Sequence, residues 1–398
     1  MDLATAPLKE EDLRHWRLIE SFRQRLGEVS GAGIEGSTWA DPKRKLQLAE
    51  YLSLFLFALM NPMLATARAV CGASDLQRVR QELCRRHVSL GSFSEAQNLV
   101  EPEWLESLFT QLSKQIGEPS PKSPHEAWQE WFARDGSLLS ALPRMHWALF
   151  GGGRAKKSGG ANNAVRLHLS FHLLDDKPVR AQVTPGKNCE RKSWKEQWVR
   201  GDVYVGDRYY AENYQLLKEL EAHGCGYVVR LCDAAVVTVL EELSVNSADQ
   251  AAGVTRHAMV QLGRRPEDQI GPVRVIWVQS ATAGELRLVT CLPMASAPAE
   301  LISVMYRRRW QIEGFFKWFK CLLNCRHWLA ESQHGVTVQL YLALIAAVLL
   351  QLVTGRRPTK RMMELIGLYQ IGWATLEELV NGLQREEKRN VAHLKTSQ

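Results

Sequence analysis

The chain lacks a framework of cysteines. Its eight, at positions 71, 84, 189, 225, 232, 291, 321 and 325, follow no disulfide spacing and read as free thiols of a reducing compartment. A zinc site is missing on the same ground. Cys321 and Cys325 lie one helical turn apart with His327 nearby, but no second ligand pair completes the spacing. No apolar leader opens the sequence: MDLATAPLKEEDLRHW is charged throughout and has no run that reads as a secretory signal. Long hydrophobic runs are also wanting. Tyr51–Met60 stops at Asn61-Pro62, and Leu340–Leu350 is bracketed by Gln339 and Gln351. Both fall short of the roughly 20 residues a membrane span needs, so both read as buried core helices and no membrane partner is expected. A nucleotide loop is excluded as well. In GGGRAKKSGGANN (151–163), Lys156 stands where a Walker loop requires glycine; the stretch reads as a flexible basic loop.

What is present is an ordinary globular composition with a surplus of cations. The 398 residues are 45% apolar and 23% charged, enough for two or three domains. The formal net charge of +7 favours a polyanionic partner, nucleic acid before a membrane surface.

The pattern changes along the chain. Residues 1–116 read as an all-α N-terminal domain. Leu13–Leu26 has helical periodicity, Lys43–Met60 is a helix stopped by the Asn-Pro pair, and Ser74–His87 (SDLQRVRQELCRRH) is a strongly basic helix. A short turn at Gly91 follows, and Ser92 with Glu95 predicts a capping box. Basic helix, turn and capped helix together suggest a helix-turn-helix that contacts DNA. Gly117–His125 (GEPSPKSPH) reads as a linker. Short apolar or alternating segments then predict strands at Trp131–Leu139, Val165–Leu173, Val179–Val183, Val203–Val205 and Gly226–Leu231, with a helix over Glu212–His223. This is the signature of an α/β core, 126–232 and 292–355. Residues 233–291 read as a β-rich insertion, and 356–398 as a C-terminal helical segment and tail.

Residues 306–320, YRRRWQIEGFFKWFK, carry the chemistry. At about 100° per residue on one straight helix, Tyr306, Arg309, Glu313 and Lys320 fall within an arc of about 60°, and Lys317 borders it. Ile312, Phe315, Phe319 and Leu322 occupy the opposite face. The helix buries an aromatic side and presents one carboxylate in a row of cations, which suits a metal-binding acid beside a polyanion. Partners for Glu313 must come from other elements, because two-metal phosphodiester chemistry draws carboxylates together from several places. Asp135, in FARDGSLL, ends or interrupts the first strand ahead of Gly136. Asp207, in VYVGDRYY, follows a short strand. A carboxylate just past a strand end is where ligand sites form in open α/β sheets. Asp202, Asp175 and Asp176 are competitors. Asp202 precedes its strand, and Asp175–Asp176 reads as a solvated hairpin turn.

Tyr306-x2-Arg309-x3-Glu313-x6-Lys320 resembles the Y-R-E-K signature of the DDE transposases of the IS-four family of bacterial insertion sequences. DGS at 135–137 is similar to that family's first aspartate block, and GDRYY at 206–210 to its second. The resemblance covers about residues 130–355. It implies an RNase H-like catalytic core with a β-strand insertion, in which Asp135, Asp207 and Glu313 are the catalytic residues and hold two divalent ions, Mg²⁺ or Mn²⁺. The implied reaction is cleavage at insertion-sequence ends and strand transfer into target DNA. Tyr306, Arg309 and Lys320 would hold terminal phosphates, Lys317 would touch the backbone, and Trp277 would stack on a flipped base. The implied partners are terminal inverted repeats and target DNA, bound by a dimer assembled on DNA in the bacterial cytoplasm, at the nucleoid. A decayed or domesticated relative that only binds DNA, and a nuclease without strand transfer, are the other readings. Gly314 departs from the family pattern and costs the helix about 1 kcal/mol.

Overall fold

A computed structural model describes residues 20–385, leaving out 21, 28–36, 42, 62, 118–129, 151–162, 196, 267–268, 281–282, 323–327, 355–358, 371, 376 and 383. Most of Leu13–Leu26, nearly all of the expected linker and glycine-rich loop, and the Cys325–His327 pair lie outside the described residues.

The first part of the chain is helical: Leu48–Met60, Ala67–Ala73, Gln77–Glu82, Leu90–Gln97 and Pro102–Lys114. Leu48–Met60 starts in a capping box between Gln47 and Glu50 and stops at Asn61, ahead of the proline, as the sequence predicts. Two expectations change. The long basic helix shrinks to Gln77–Glu82, and Ser74 instead closes the preceding helix, its hydroxyl donating to Cys71 O and accepting the Val88 N–H. The next helix begins at Leu90, because the Ser89 hydroxyl accepts the Ser92 N–H at 3.1 Å. Ser89 is therefore the cap, and Gly91 lies in the first helical turn.

Nine strands form one sheet: β1 (Trp131–Ser140), β2 (Ala164–His172), β3 (Lys177–Pro185), β4 (Val203–Gly206), β5 (Gly226–Arg230), β6 (Val237–Leu243), β7 (Val254–Leu262), β8 (Ile270–Ser280) and β9 (Gly284–Thr290). Their order is β3-β2-β1-β4-β5-β9-β8-β7-β6. β1, β2 and β3 pair antiparallel, whereas β4 and β5 run parallel to β1. The strands after residue 233 do not stand aside as a separate body. They meander antiparallel, and β9 pairs with β5, so they extend the central sheet.

Alternation along the strands divides the core between two faces. Ala133, Val203, Val205 and Val228 pack on one face, and Phe132, Tyr204, Tyr227 and Val229 on the other. The first face is covered by the N-terminal helices and by helices Ala299–Arg308, Trp310–Leu322 and Gln333–Thr354. Helix Tyr214–Ala222 and the side chains of Trp194 and Tyr210 cover the second.

The run Leu340–Leu350 lies inside the helix Gln333–Thr354. Gln333–Leu352 is long and apolar enough to cross a membrane, but 89% of its most apolar window is buried inside the protein. Its two glutamines do not end the helix because each finds a partner: Gln339 Oε1 accepts Leu329 N–H at 3.0 Å, and Gln351 donates to Asp176 O at 3.2 Å. Tyr341 ties the same helix to β3 through Ala181 O at 2.9 Å.

Candidate active site

Asp135 does not end its strand. β1 runs unbroken through Asp135 and Gly136, which pair with Leu169 and His168 of β2. On β1's other side the parallel register matches Ala133 with Val205, and β4 stops at Gly206. Two residues further, the same register sets Asp135 level with Asp207, where β1 has just lost its neighbour. Parallel strands lie about 4.8 Å apart, so this notch brings the two aspartates near each other. Asp207 caps the short helix Arg208–Ala211, its Oδ1 accepting Tyr209 N–H at 2.9 Å. Asp135 Oδ1 accepts the Gly136 N–H at 2.8 Å.

Burial pushes the Asp135 carboxyl up to about 7; the Gly136 N–H and Arg309 oppose the rise, while Glu190 and Asp207 add to it by repulsion. A carboxyl that burial keeps part-protonated near neutrality, with two further acids in range, is a candidate functional group.

The third acid arrives on a helix with a break in it. The stretch 306–320 is not one helix. Ala299–Arg308 and Trp310–Leu322 are separated at Arg309, where Arg309 N–H bonds Tyr306 O and Ile312 N–H bonds Arg309 O, both three-residue spans of a tightened turn. The Arg309 backbone nevertheless stays in the right-handed helical region, and its i,i+4 ion pair keeps it on the Glu313 side of the helix. Tyr306 and Arg309 are not presented to solvent: they are 6% and 7% exposed. The Arg309 guanidinium lies 5.7 Å from the ring centres of both Tyr306 and Trp310 and bonds Glu313 Oε1 at 2.9 Å. Among the described residues its buried Nε has no hydrogen-bond partner. Burial would lower the Arg309 pKa, but Tyr306, Glu313 and Asp135 outweigh it and the net direction is upward. Arg309 thus bonds Glu313 and acts on the charge of Asp135. Glu313 itself sits in the first turn of its helix, where the macrodipole favours an anion.

The back of this helix is as the sequence indicates. Ile312, Phe315, Phe319 and Leu322 are buried, and Phe315 packs on Phe319 at 5.5 Å and on Phe171 of β2 at 5.6 Å. Lys317 is exposed and Lys320 half-buried. The start of the preceding helix is fixed by the added strands: Arg274 of β8 donates at 2.7 Å to Leu292 O and to Ala297 O. Trp277, also on β8, is 7% exposed, and the Arg256 guanidinium covers its ring at 4.6 Å. It lies in the core of the extended sheet.

The competing acids sit elsewhere. Asp202 is buried at the start of β4, 3.4 Å from Arg180. Asp175 is not a solvated turn acid: it is mostly buried and pairs with Lys177 at 2.8 Å and His172 at 3.0 Å. Two residues escape the pattern reading. Glu190, first in helix Glu190–Lys195, lies within range of both aspartates and is paired with Arg166. Nothing in ERKSW marks it. Trp310, 60% exposed beside Arg309, could have been found as the residue that follows the signature arginine.

Among the described residues, no group of three or more His, Cys, Asp or Glu side chains is close enough to hold a metal ion as it stands. The donor chemistry nonetheless fits a hard divalent cation: the acids here are carboxylates, and burial makes the Asp135 anion costly in a way that a bound cation offsets.

The family described as "Transposase DDE domain" matches residues 133–349. Three curated relatives are similar to this chain. A probable transposase for insertion sequence element IS5377 of Geobacillus stearothermophilus is 29% identical over 209 residues, 52% of each chain. A putative transposase, y4zB, of Sinorhizobium fredii is 25% identical over 199 residues, 49% of this chain and 55% of its own. A putative transposase for insertion sequence element IS4SA of Synechocystis is 35% identical over 274 residues, 67% of this chain and 72% of its own. The matched region thus spans about half the length of the first two relatives. A solved piggyBac transposase synaptic complex with hairpin DNA aligns with 95% of this chain and 86% of its own, at 10% identity and a TM-score of 0.44, too slight a likeness to build on.

Proposed function

This chain belongs to the transposase DDE domain family, and from that premise we propose that it cuts DNA at insertion-sequence ends and joins the freed 3′ ends to target DNA. The observation that carries the reading is the notch beside β1, where the parallel register levels Asp135 with Asp207 and Arg309 bridges toward Glu313. The sheet supports an RNase H-like core: three antiparallel strands followed by two parallel ones, with an acid on the central strand.

Asp135, Asp207 and Glu313 would hold a pair of Mg²⁺ or Mn²⁺ ions. Bound there, the ions supply activation of the attacking oxygen and neutralisation of the phosphate. The protein's own groups do the rest. Asp135 gives up its proton to become a ligand. Arg309, once Glu313 turns to the site, offers its fork to a non-bridging phosphate oxygen. Tyr306 backs the guanidinium. Lys317 and Lys320, on the same helix as Glu313, take flanking phosphates as point charges. The exposed indole of Trp310 is placed to meet a base beside the scissile phosphate. We assign the helical residues up to 116 to recognition of end DNA, and cleavage of paired ends to a dimer assembled on that DNA.

Purified protein should cut a duplex carrying the element's terminal repeat in Mg²⁺, and Glu313→Gln should abolish cutting while leaving end binding intact. A Glu313→Gln variant that cuts at the wild-type rate refutes the assignment.

A further inference from the structure

Glu190 lies on the other face of the sheet from Asp135. Its ion-pair partner, Arg166, alternates with His168 and Ser170 on β2, opposite the face that carries Leu167 and Leu169. A barrier of main chain would ordinarily separate it from the aspartates. Here the barrier has a free edge. β4 has ended at Gly206, so β1 has no neighbour on that side beyond it, and Gly136 has no side chain; a Cβ built on Gly136 would lie 2.7 Å from Glu190 Oε1 and 2.8 Å from its Cδ. The Glu190 carboxylate therefore packs on the main chain of β1 at Gly136, on the face opposite the Asp135 side chain and next to that free edge. It is close enough to act on the charges of both Asp135 and Asp207.

We propose that Glu190 is a fourth acid of the cation site, reaching it from the opposite face past the free edge of β1 at Gly136, with Arg166 as its counter-ion while the site holds no metal. The inference rests on the cation site proposed above. Glu190 and Arg166 side chains are each 15% exposed, and the Tyr210 hydroxyl lies 3.4 Å from Glu190 Oε2, so the carboxylate is held in place. Glu313 is parked in the same way on Arg309. Among the described residues, neither Asp135 nor Asp207 takes part in an ion pair of this kind. The two long-armed acids wait on arginines, and the two short-armed ones line the notch. A cation entering the notch offers each glutamate a second partner.

Glu190 would act from the site's outer side, where loss of a supporting group costs metal affinity by about tenfold or more. The test is Mn²⁺ binding to the full chain by calorimetry, without DNA and without turnover. Glu190→Gln, which keeps shape and hydrogen-bonding capacity, should weaken Mn²⁺ binding about tenfold with the circular dichroism spectrum unchanged. Arg166→Met should strengthen binding, because it frees Glu190 for the cation; an ion pair with a purely structural role predicts no gain. Wild-type affinity in Glu190→Gln, with binding lost in Asp135→Asn, overturns this inference and leaves the three-acid site standing. Wild-type affinity in Asp135→Asn and Asp207→Asn as well overturns both.

Discussion

Replacing Asp135 with asparagine should stabilise the metal-free protein, and by an amount that depends on pH. The carboxyl ordinarily titrates at 3.8 but is pushed up to about 7 in the fold, first by burial. Between those two values the folded state holds a proton that the unfolded chain has released. Stability is therefore lost as pH rises from 3.8 to about 7, and the loss then levels off. Linkage puts the full difference at about 4 kcal/mol at pH 8 and about 1.5 kcal/mol at pH 5. Asparagine removes the ionisation while its carbonyl can still accept the Gly136 N–H. Urea unfolding in EDTA, followed by circular dichroism at pH 5, 6.5 and 8, should show Asp135→Asn more stable than wild type, with an advantage growing by roughly 2.5 kcal/mol across that range. Saturating Mg²⁺ at pH 8 should reverse the order, since only the wild type gains from the ion. An advantage that does not change between pH 5 and pH 8 would show that Asp135 ionises normally, and the account of the notch as a desolvated, charge-crowded site would fall.

Two further substitutions probe the helix that carries Glu313. Arg309→Ala should lower the slope of log affinity against log salt for end DNA by about one and leave Glu313 without its partner; an unchanged slope in filter-binding titrations removes Arg309 from the phosphate contacts. Phe315→Ala empties a position 1% exposed between Phe171 and Phe319, and should cost about 3–5 kcal/mol in urea unfolding. A cost below about 1 kcal/mol would mean that the helix is not anchored through this ring.

Much of the site can be read from the chain because its signals are local. Helical spacing pairs Glu313 with Lys317 and Lys320 and sets Phe315 and Phe319 behind them. Alternation marks β1 to β5, and Asn61 with its proline ends a helix where it should. The errors are equally physical. Helical spacing across 306–320 misses the tightened turn at Arg309, and it reads as exposed a tyrosine and an arginine that the rest of the fold covers. Gly136 looks like a turn residue, but β2 pairs along the whole of β1 and holds it extended.

By itself the sequence determined which residue types are spaced for this chemistry: an acid among cations on one side of a helix, aromatics on the other, and an aspartate in each of two strand-linked blocks. Those relations are fixed by helical and strand periods, which operate over a few residues. The tertiary structure decided what meets what. Pairing Ala133 with Val205 joins segments some 70 residues apart, and only that register levels Asp135 with Asp207. The end of β4 leaves the edge of β1 free there, and the missing side chain of Gly136 lets a glutamate from the far face pack against that edge. No periodicity encodes such a meeting, because it depends on where a neighbouring strand stops.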